Sequence, residues 1–286
     1  MNIRSETKTL HSLVSIVIPT RNASRTLEIC LCAIKSQTYS NIEIIIPDSN
    51  STDSTVEIAK RYNATVIKMS SSMERTAKKN KASKLAKGSF IYFVDSDFEL
   101  PPTTIEDCIK ACNKGGDAVI VPERAINGND YWSRSRQLDI IACDGDPFIE
   151  SPRFFRKNVF DDIGGFDENL IFGEENDLTI RVIERGYKIV RITTPLLHHE
   201  GSINSVILRK YYYGKTFFKY VRKQRSMALI QFNPVRFGWI KNIDRLKKQP
   251  ILLMGMFIQR FIATLMVILG ILGGLVENHS IKRTKP

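Results

Sequence analysis

Short apolar runs alternate with helical patterns through the first half of the chain. The segments "LVSIVIP" (13–19), "NIEIIIPDS" (41–49), "ATVIKM" (64–69), "SFIYFVD" (89–95) and "DAVIVP" (117–122) have strand length and are rich in β-branched and aromatic residues. Between them, helical patterns run from about Ser24 to Gln37, after "STDST", from about Glu74 to Lys87, and after "PPTT". This βαβα order predicts an α/β domain built on a largely parallel sheet with helices on both faces. No internal repeat is present.

In such sheets ligands gather at the carboxyl ends of the strands. The polar residues fall there: Thr20 after the first strand, Asp48 after the second, and Asp95 with Asp97 after the fourth. Neither GxGxxG nor GxxxxGK[ST] follows the first strand, which disfavours a nicotinamide dehydrogenase and a P-loop ATPase. Residues 123–200 are more irregular. Beyond them comes a basic and aromatic stretch, "LRKYYYGKTFFKYVRKQR", and then a nearly continuous apolar run over 250–276.

That run matches the ~20 apolar residues that cross a bilayer. Gln259 and Arg260 interrupt it, and an Arg at a helix centre costs ~2.5–3.5 kcal/mol on insertion. Both flanks are basic, so the charge rule for orientation leaves open a single span, an in-plane segment, or a re-entrant hairpin bent at Gly270, Gly273 or Gly274. A hydrophobic helix buried against the domain is the bland alternative.

Composition adds a partner class. In 286 residues, 42 Lys and Arg against 30 Asp and Glu give a net charge of +12, and 43% hydrophobic content fills a core. The excess implies an anionic partner: nucleic acid, an acidic membrane or a phosphorylated substrate. The cations between Arg209 and Arg225 suit anionic headgroups better than bases, because no nucleic-acid module accompanies them, so no nucleic-acid partner is expected. Five cysteines without CxxC spacing read as packed free thiols rather than a zinc site. The polar start predicts no cleavable signal peptide and a cytosolic catalytic part.

"VDSDF" puts two carboxylates at a strand end, where a hard divalent cation such as Mn²⁺ or Mg²⁺ would find oxygen ligands. The triplet alone could equally cap a helix or sit in solvent. It recurs, however, in an ordered set: "VSIVIPTRN", "PDSNSTDST", "ERTAKKNKASKLAKG", "VDSDF", "GGFDE", "GEENDLTIR" and "HHEGS". Together these resemble the nucleotide-sugar-dependent glycosyltransferases of family 2, over roughly residues 13–225.

The resemblance implies a GT-A fold: a mixed, mostly parallel central sheet flanked by helices as an αβα sandwich, here with C-terminal membrane-associated helices. It implies a tail over 1–12, a catalytic domain over 13–225 and a basic, hydrophobic segment over 226–286. Donor contacts then fall to Pro19, Thr20, Asp48, Arg75, Lys79, Asp95 and Ser96, and the metal to Asp97, Asp95 and His199, with His198 a weaker candidate. Asp48 could alternatively make an Asx-turn or cap. "STDST" caps the helix it opens. Lys78, Lys81 and Lys84 read as a solvated face. Many family members carry an acid where this chain has Ala23, so a polar contact near the ribose is in doubt.

For the acceptor side, the resemblance points to Glu175 as general base with Asp177 as rival, and to Glu174 and Asp167 near sugar hydroxyls. A carboxylate with a raised pKa suits that work. The nearby alternative is that these acids merely favour a helix N-terminus. Displacement without a covalent intermediate implies inversion, and the missing QxxRW motif after Arg181 implies one sugar per encounter. The acceptor expected is a glycan or lipid-linked hydroxyl at the cytoplasmic side of a membrane, reached by a peripheral, monotopic or single-pass chain. A polyprenyl-phosphate glycosyl synthase and a non-catalytic nucleotide-sugar-binding protein are the competing readings.

Overall fold

The computed structural model describes residues 12–126, 128, 130–199, 203–231 and 236–283. Almost all of the expected N-terminal tail, and the last three residues of "HHEGS", lie outside them. The chain divides into two compact units, taken separately below: one of residues up to Arg124 with Glu150–Glu168 and Glu175–His199, the other of Ala125–Ile149, Asn169–Glu174 and Glu200 onward. The expected boundary at 225 falls inside the second unit.

In the first unit the strands are β1 (Val14–Val17), β2 (Ile42–Asp48), β3 (Thr65–Lys68), β4 (Phe90–Phe93), β5 (Phe98–Glu99), β6 (Ala118–Ile120), β7 (Glu123–Ala125), β8 (Phe154–Arg156), β9 (Ile189–Arg191) and β10 (Leu196–His198). Seven of them form one sheet in the order β3-β2-β1-β4-β8-β6-β9, and β5-β10-β7 form a small second sheet. Pairing is parallel from β3 to β4 and between β6 and β9. Strand β8 runs antiparallel to both β4 and β6, which makes the sheet mixed.

Side-chain alternation along the strands fills two cores. Val14, Ile16 and Ile18 pack with Ile44, Ile46 and Tyr92 beneath α1 (Leu27–Lys35), α2 (Thr55–Arg61) and, further on in the chain, the helix Thr104–Asn113. Val17, Ile45, Ile91 and Phe93 pack on the other face against Ala82 of α3 (Arg75–Ser83). The later helix is α4 (Thr104–Asn113). Phe155, Phe160, Leu178 and Val182 complete the second core. Fully burying such a side chain is worth about 1.5–3 kcal/mol, so the sandwich rests on these two layers.

Helix α3 is shorter than the Glu74–Lys87 expected. The backbone turns after Ser83 to run beside β1, where Gly88 donates to Ser15 Oγ at 2.8 Å and Lys87 to Glu43 Oε1 at 2.7 Å. A Cβ at Gly88 would meet the Leu13 carbonyl oxygen at 2.5 Å, so only glycine allows that passage.

The remaining helices are α5 (Tyr131–Ala142), α6 (Lys157–Asp162), α7 (Glu174–Glu184), α8 (Ile203–Lys223), α9 (Arg225–Gln231), α10 (Phe237–Lys241), α11 (Ile243–Lys247) and α12 (Pro250–Arg283). In the second unit, α12 runs as one unbroken helix against α8 and α5, so the hairpin reading of the C-terminus is corrected. Its glycines pack rather than bend. A Cβ at Gly270 would fall 2.0 Å from the Tyr211 carbonyl oxygen, and one at Gly214 would fall 2.3 Å from that of Val267. The two backbones touch because neither helix carries a side chain there.

The interrupting residues of α12 turn toward the protein. Arg260 pairs with Asp139 at 2.6 Å, and Gln259 donates to the Trp132 carbonyl at 2.8 Å. The rest of the helix exposes Ile251, Met254, Phe261, Leu265 and Leu272, with Phe261 at 72%. Over Pro250–Leu275 it is long and apolar enough to cross a membrane by length and composition.

Candidate active site

The first loop after β1 and the loop after β2 are laced together. Thr20 bridges Asp48 in parallel fashion, Ala23 donates to Thr55 Oγ1 at 2.8 Å, and Ser24 donates to Asp53 at 3.1 Å. Asp53 also accepts from the Thr55 amide at 3.1 Å, holding the start of α2 from one residue before its cap position, Ser54, which makes no side-chain cap bond. Burial pushes its carboxyl up, but the hydrogen bonds from Thr55 and Ser24 prevail and hold it down at about 2.

Asp48 lies buried at this junction. It accepts from Thr20 Oγ1 at 2.8 Å and from the Ser51 amide and hydroxyl, the amide at 2.9 Å. These are the bonds of a local turn, the alternative weighed for this residue. They use three of the four acceptor positions of a carboxylate, leaving room for one further N–H. Pro19 stands half-buried beside it.

Lys78 corrects the sequence reading. It is only 7% exposed, whereas Lys81 and Lys84 are solvated as expected. Burial and the neighbouring Arg21 guanidinium lower its pKa, opposed by Glu74 and Asp48, which puts a buried ammonium next to the Asp48 turn.

After β4 the chain delivers Asp95, Ser96 and Asp97 in a tight turn, closed by the Phe98 amide donating to the Asp95 carbonyl at 3.1 Å. Arg153, on the segment entering β8, is the hub of what surrounds it. The guanidinium reaches Asp95 at 3.1 Å, Glu123 at 2.6 Å and Glu175 at 3.6 Å, and stacks over the Phe98 ring at 4.9 Å. Arg75 approaches Asp95 at 3.7 Å from the start of α3 and is 43% exposed. Lys79 is 1% exposed, lies over Phe166 at 5.0 Å and pairs with Glu175 at 3.4 Å. It holds that carboxylate rather than presenting itself to solvent.

Three carboxylates, Asp95, Glu123 and Glu175, are thus matched by three cations, Arg75, Lys79 and Arg153. The consequence is opposite to a raised pKa. Burial pushes the Glu175 carboxyl up, but Arg153, then Lys79 and Arg75, outweigh it and hold it down at about 2. Asp95 is driven below the usual carboxylate range against its burial by Arg153, Lys79, Arg75 and His198.

Asp177, the rival base, is 0% exposed and accepts from Arg181 Nε at 2.9 Å, one turn along α7. Glu174, the first residue of α7, is buried. Asp167 is half-buried and follows Phe166, whose amide and carbonyl are both held by Asn80, at 2.9 and 2.8 Å. Asn80 thereby fixes the "GGFDE" loop on α3.

At the end of β10 the two histidines point to different carboxylates. His198 Nε2 lies 3.3 Å from Asp97 Oδ2, while His199 Nε2 lies 3.0 Å from Glu99 Oε2. The pairing expected of His199 with the metal aspartate therefore belongs to His198. Among the described residues, no group of three or more His, Cys, Asp and Glu side chains is arranged to hold an ion unaided. Two ligands at ~2.1 Å in adjacent octahedral positions lie about 3.0 Å apart. The Asp97–His198 pair, 3.3 Å apart, has the spacing of two such ligands and would supply an oxygen and a nitrogen donor.

Sequence reasoning missed Arg153, Glu123, Asn80 and Lys78. The cysteines behave as expected: all five are free, and among them only Cys32 is exposed.

Comparisons with known proteins bear on the family and the fold. The description "Glycosyl transferase family 2" matches residues 15–168. EpsH of Bacillus subtilis, described as a glycosyltransferase, is 32% identical over 262 residues, covering 82% of this chain and 72% of EpsH. The chondroitin synthase of Escherichia coli is 24% identical over 86% of this chain, and glycosyltransferase AglE of Haloferax volcanii 26% over 62%. The match spans only 37% of the synthase and 63% of AglE, under two thirds of either. Among solved structures, the mannosyltransferase PcManGT of Pyrobaculum calidifontis, in complex with GDP-Man and Mn²⁺, superimposes with a TM-score of 0.60 at 18% identity, covering 93% of this chain and 87% of that one. S. aureus TarS 1-349 in complex with UDP-GlcNAc does so at 0.54 and 16%, covering 90% and 89%. These likenesses establish the GT-A fold.

Proposed function

Since the chain belongs to glycosyltransferase family 2, we propose that it is an inverting enzyme moving one sugar from a nucleotide-sugar donor to a glycan or lipid-linked hydroxyl at a membrane surface. The observation that carries this reading is the charge-matched cluster at the strand ends, with Arg153 between Asp95 and Glu175. Solved relatives in fold hold GDP-Man with Mn²⁺ and UDP-GlcNAc, which supports a nucleotide-sugar donor here.

The remaining lone pair of Asp48 accepts an N–H of the base, with Thr20 and Pro19 alongside. Arg75, exposed at the start of α3, meets the diphosphate, and Ser96 lies within the same turn. Because the cluster is already neutral, a bare diphosphate would add two uncompensated charges next to Asp97. Asp97 and His198 would hold a divalent cation, Mn²⁺ or Mg²⁺, with Asp95 behind them. When bound, such an ion neutralises the charge that builds on the departing diphosphate.

Glu175 takes the proton of the acceptor hydroxyl. With a carboxyl held at about 2 it is a weak base. An anionic donor that draws Arg75 and Arg153 toward itself raises the basicity of Glu175 and couples donor binding to acceptor activation. Attack opposite the diphosphate inverts the anomeric centre. Glu174 and Asp167 flank the acceptor side, and the absence of QxxRW after Arg181 favours a single transfer.

For the membrane, an in-plane α12 is favoured over a span. Its partner α8 carries Arg209, Lys215, Lys219 and Arg222, and each cation drawn into hydrocarbon would cost about 2.5–3.5 kcal/mol. The exposed apolar stripe of α12 suits an interfacial helix at the cytoplasmic face.

A panel of UDP- and GDP-sugars with Mn²⁺ or Mg²⁺ tests the reading, using calorimetry for binding and product analysis for transfer. Glu175→Gln should lower transfer by about 10²–10⁴ while donor binding is kept or tightened, since Arg75 and Arg153 are then freed for the diphosphate. Asp97→Ala should remove the metal dependence of donor binding. Transfer undiminished in Glu175→Gln would refute the assignment of the base.

A further inference from the structure

The short helices α10 and α11 and the start of α12 have one side in a core. Trp239, Leu246, Leu252 and Met256 pack there with Leu138 and Ala142 of α5. The side chains left outside are large and apolar: Phe237, Ile240 and Ile243 on the two short helices, then Ile251 and Met254 on α12, with Ile240 at 64% exposure and Ile251 at 69%. Trp132 of α5 is exposed beside the same stretch. Its carbonyl accepts from Gln259 at 2.8 Å, and the neighbouring Tyr131 hydroxyl donates to the Ile251 carbonyl at 2.9 Å.

Cations interleave with these residues. The segment "KNIDRLKK" (241–248) carries Lys241, Arg245, Lys247 and Lys248 with Asp244, and all five are exposed. Phe237 stands three and four residues before Ile240 and Lys241, and Ile243 four before Lys247, so apolar and cationic side chains share a face of each short helix. Arg245 reaches Asp144 at 3.9 Å and Lys241 the Gly145 carbonyl at 3.5 Å, which places both over the turn after α5. Lys247 and Lys248 lead directly into α12.

Exposed apolar side chains gathered in this way mark an interaction surface. The mixture indicates what covers it. Protein interfaces are depleted in lysine, whereas at a bilayer lysine stems lie along apolar surface and carry the ammonium to the headgroups, the level at which Trp also concentrates. The exposed apolar face continues along α12 through Phe261, Leu265 and Leu272, so the corner is one end of a longer surface of the same kind. We propose that the α10–α11 corner, with Trp132 and the first turns of α12, docks on a bilayer containing anionic phospholipid. Phe237, Ile240 and Ile243 enter the interfacial layer, and Lys241, Arg245, Lys247 and Lys248 meet the phosphates. This surface rests on the in-plane reading of α12 and adds to it the lipid class and the residues that select it.

The test is flotation of the full chain with vesicles of phosphatidylcholine alone or mixed with phosphatidylglycerol. Binding to the mixed vesicles should be about tenfold stronger and should weaken with added salt. Lys247→Gln combined with Lys248→Gln should lose about tenfold on the mixed vesicles and nothing on phosphatidylcholine. Phe237→Ser combined with Ile240→Ser should weaken binding to both. Tryptophan emission should shift to the blue on the mixed vesicles, and Trp132→Phe should abolish the shift, since Trp239 is already buried. Equal binding to the two vesicles, or undiminished binding by either pair of substitutions, overturns the proposal while the membrane reading stands. Binding to neither vesicle overturns both. A dimer seen by sedimentation without vesicles, which Ile240→Asp dissociates while vesicle binding is unchanged, would assign the corner to a second copy of the chain and also overturn the proposal.

Discussion

In the first unit Arg75, Lys79 and Arg153 stand among Asp95, Glu123 and Glu175; in the second, Arg136 and Arg260 both pair with the buried Asp139, while Arg236 points to the Cys143 thiol and Lys210 lies over the Tyr213 ring. Both groups are sheltered from water, but Arg153 lies among acids, whereas burial, with Arg136, Arg260 and Arg236, lowers the pKa of the Lys210 ammonium. The same substitution, cation to neutral, should therefore have opposite signs at these two residues.

The largest effect is expected from Arg153→Met. Removing the hub leaves Asp95, Glu123 and Glu175 sheltered with two cations, and breaking a buried pair in this way costs about 3–5 kcal/mol. Urea unfolding measures it. A loss under about 1 kcal/mol would mean that the three carboxylates are solvated rather than matched.

Next comes the acid limb of stability. Glu175 is lowered from its ordinary 4.5 to about 2, so its contribution is fully present above pH 4.5 and is lost as pH falls from there toward 2. The loss should be on the order of 2 kcal/mol, and Glu175→Gln should flatten that part of the stability profile. A variant with the same acid limb as the unaltered chain would show that the carboxylate is not held down.

The balanced cluster was only half legible in the sequence. Asp48, Asp95 and Asp97 follow apolar runs that could only be strands, and Glu175 opens a helical pattern, so position relative to an element identified them. Arg153 had no such signal. It reaches the site because β8 inserts antiparallel between β4 and β6, a long-range pairing that local periodicity does not encode. His198 ends β10 and His199 follows it, reaching Asp97 and Glu99 respectively, so choosing between them requires the register of β10 against β5. Lys78 and Lys79 are both buried because α3 is enclosed on more than one side, whereas a single-face helical reading leaves one of them in solvent. In the second unit the apolar run was plain, but the role of Arg260 was not, since Asp139 lies 121 residues away in the chain.

In the second unit, Asp139→Asn removes the charge that Arg136 and Arg260 both pair with while keeping the shape of the side chain. Hydrogen bonds to a charged group are worth about 1.5–3 kcal/mol, and a loss of that size should appear in unfolding at low salt and shrink as added anions take over the role. An unchanged stability would mean that Arg136 and Arg260 do not lean on Asp139.

The smallest effect separates the units most sharply, because its sign is reversed. Lys210→Met should stabilise the protein by about 0.5–1 kcal/mol near pH 6.5, since it removes one of the repelling charges without touching an ion pair of Asp139. Lys210 titrates near 7 in the folded chain against 10.5 when free, so between those values the unfolded chain binds more protons and stability rises with pH. The unaltered protein should therefore gain on Lys210→Met as pH is raised from 6.5 to 9, closing the gap. If the variant is instead destabilised at both pH values by the same amount, Lys210 acts through packing over Tyr213 rather than through its charge.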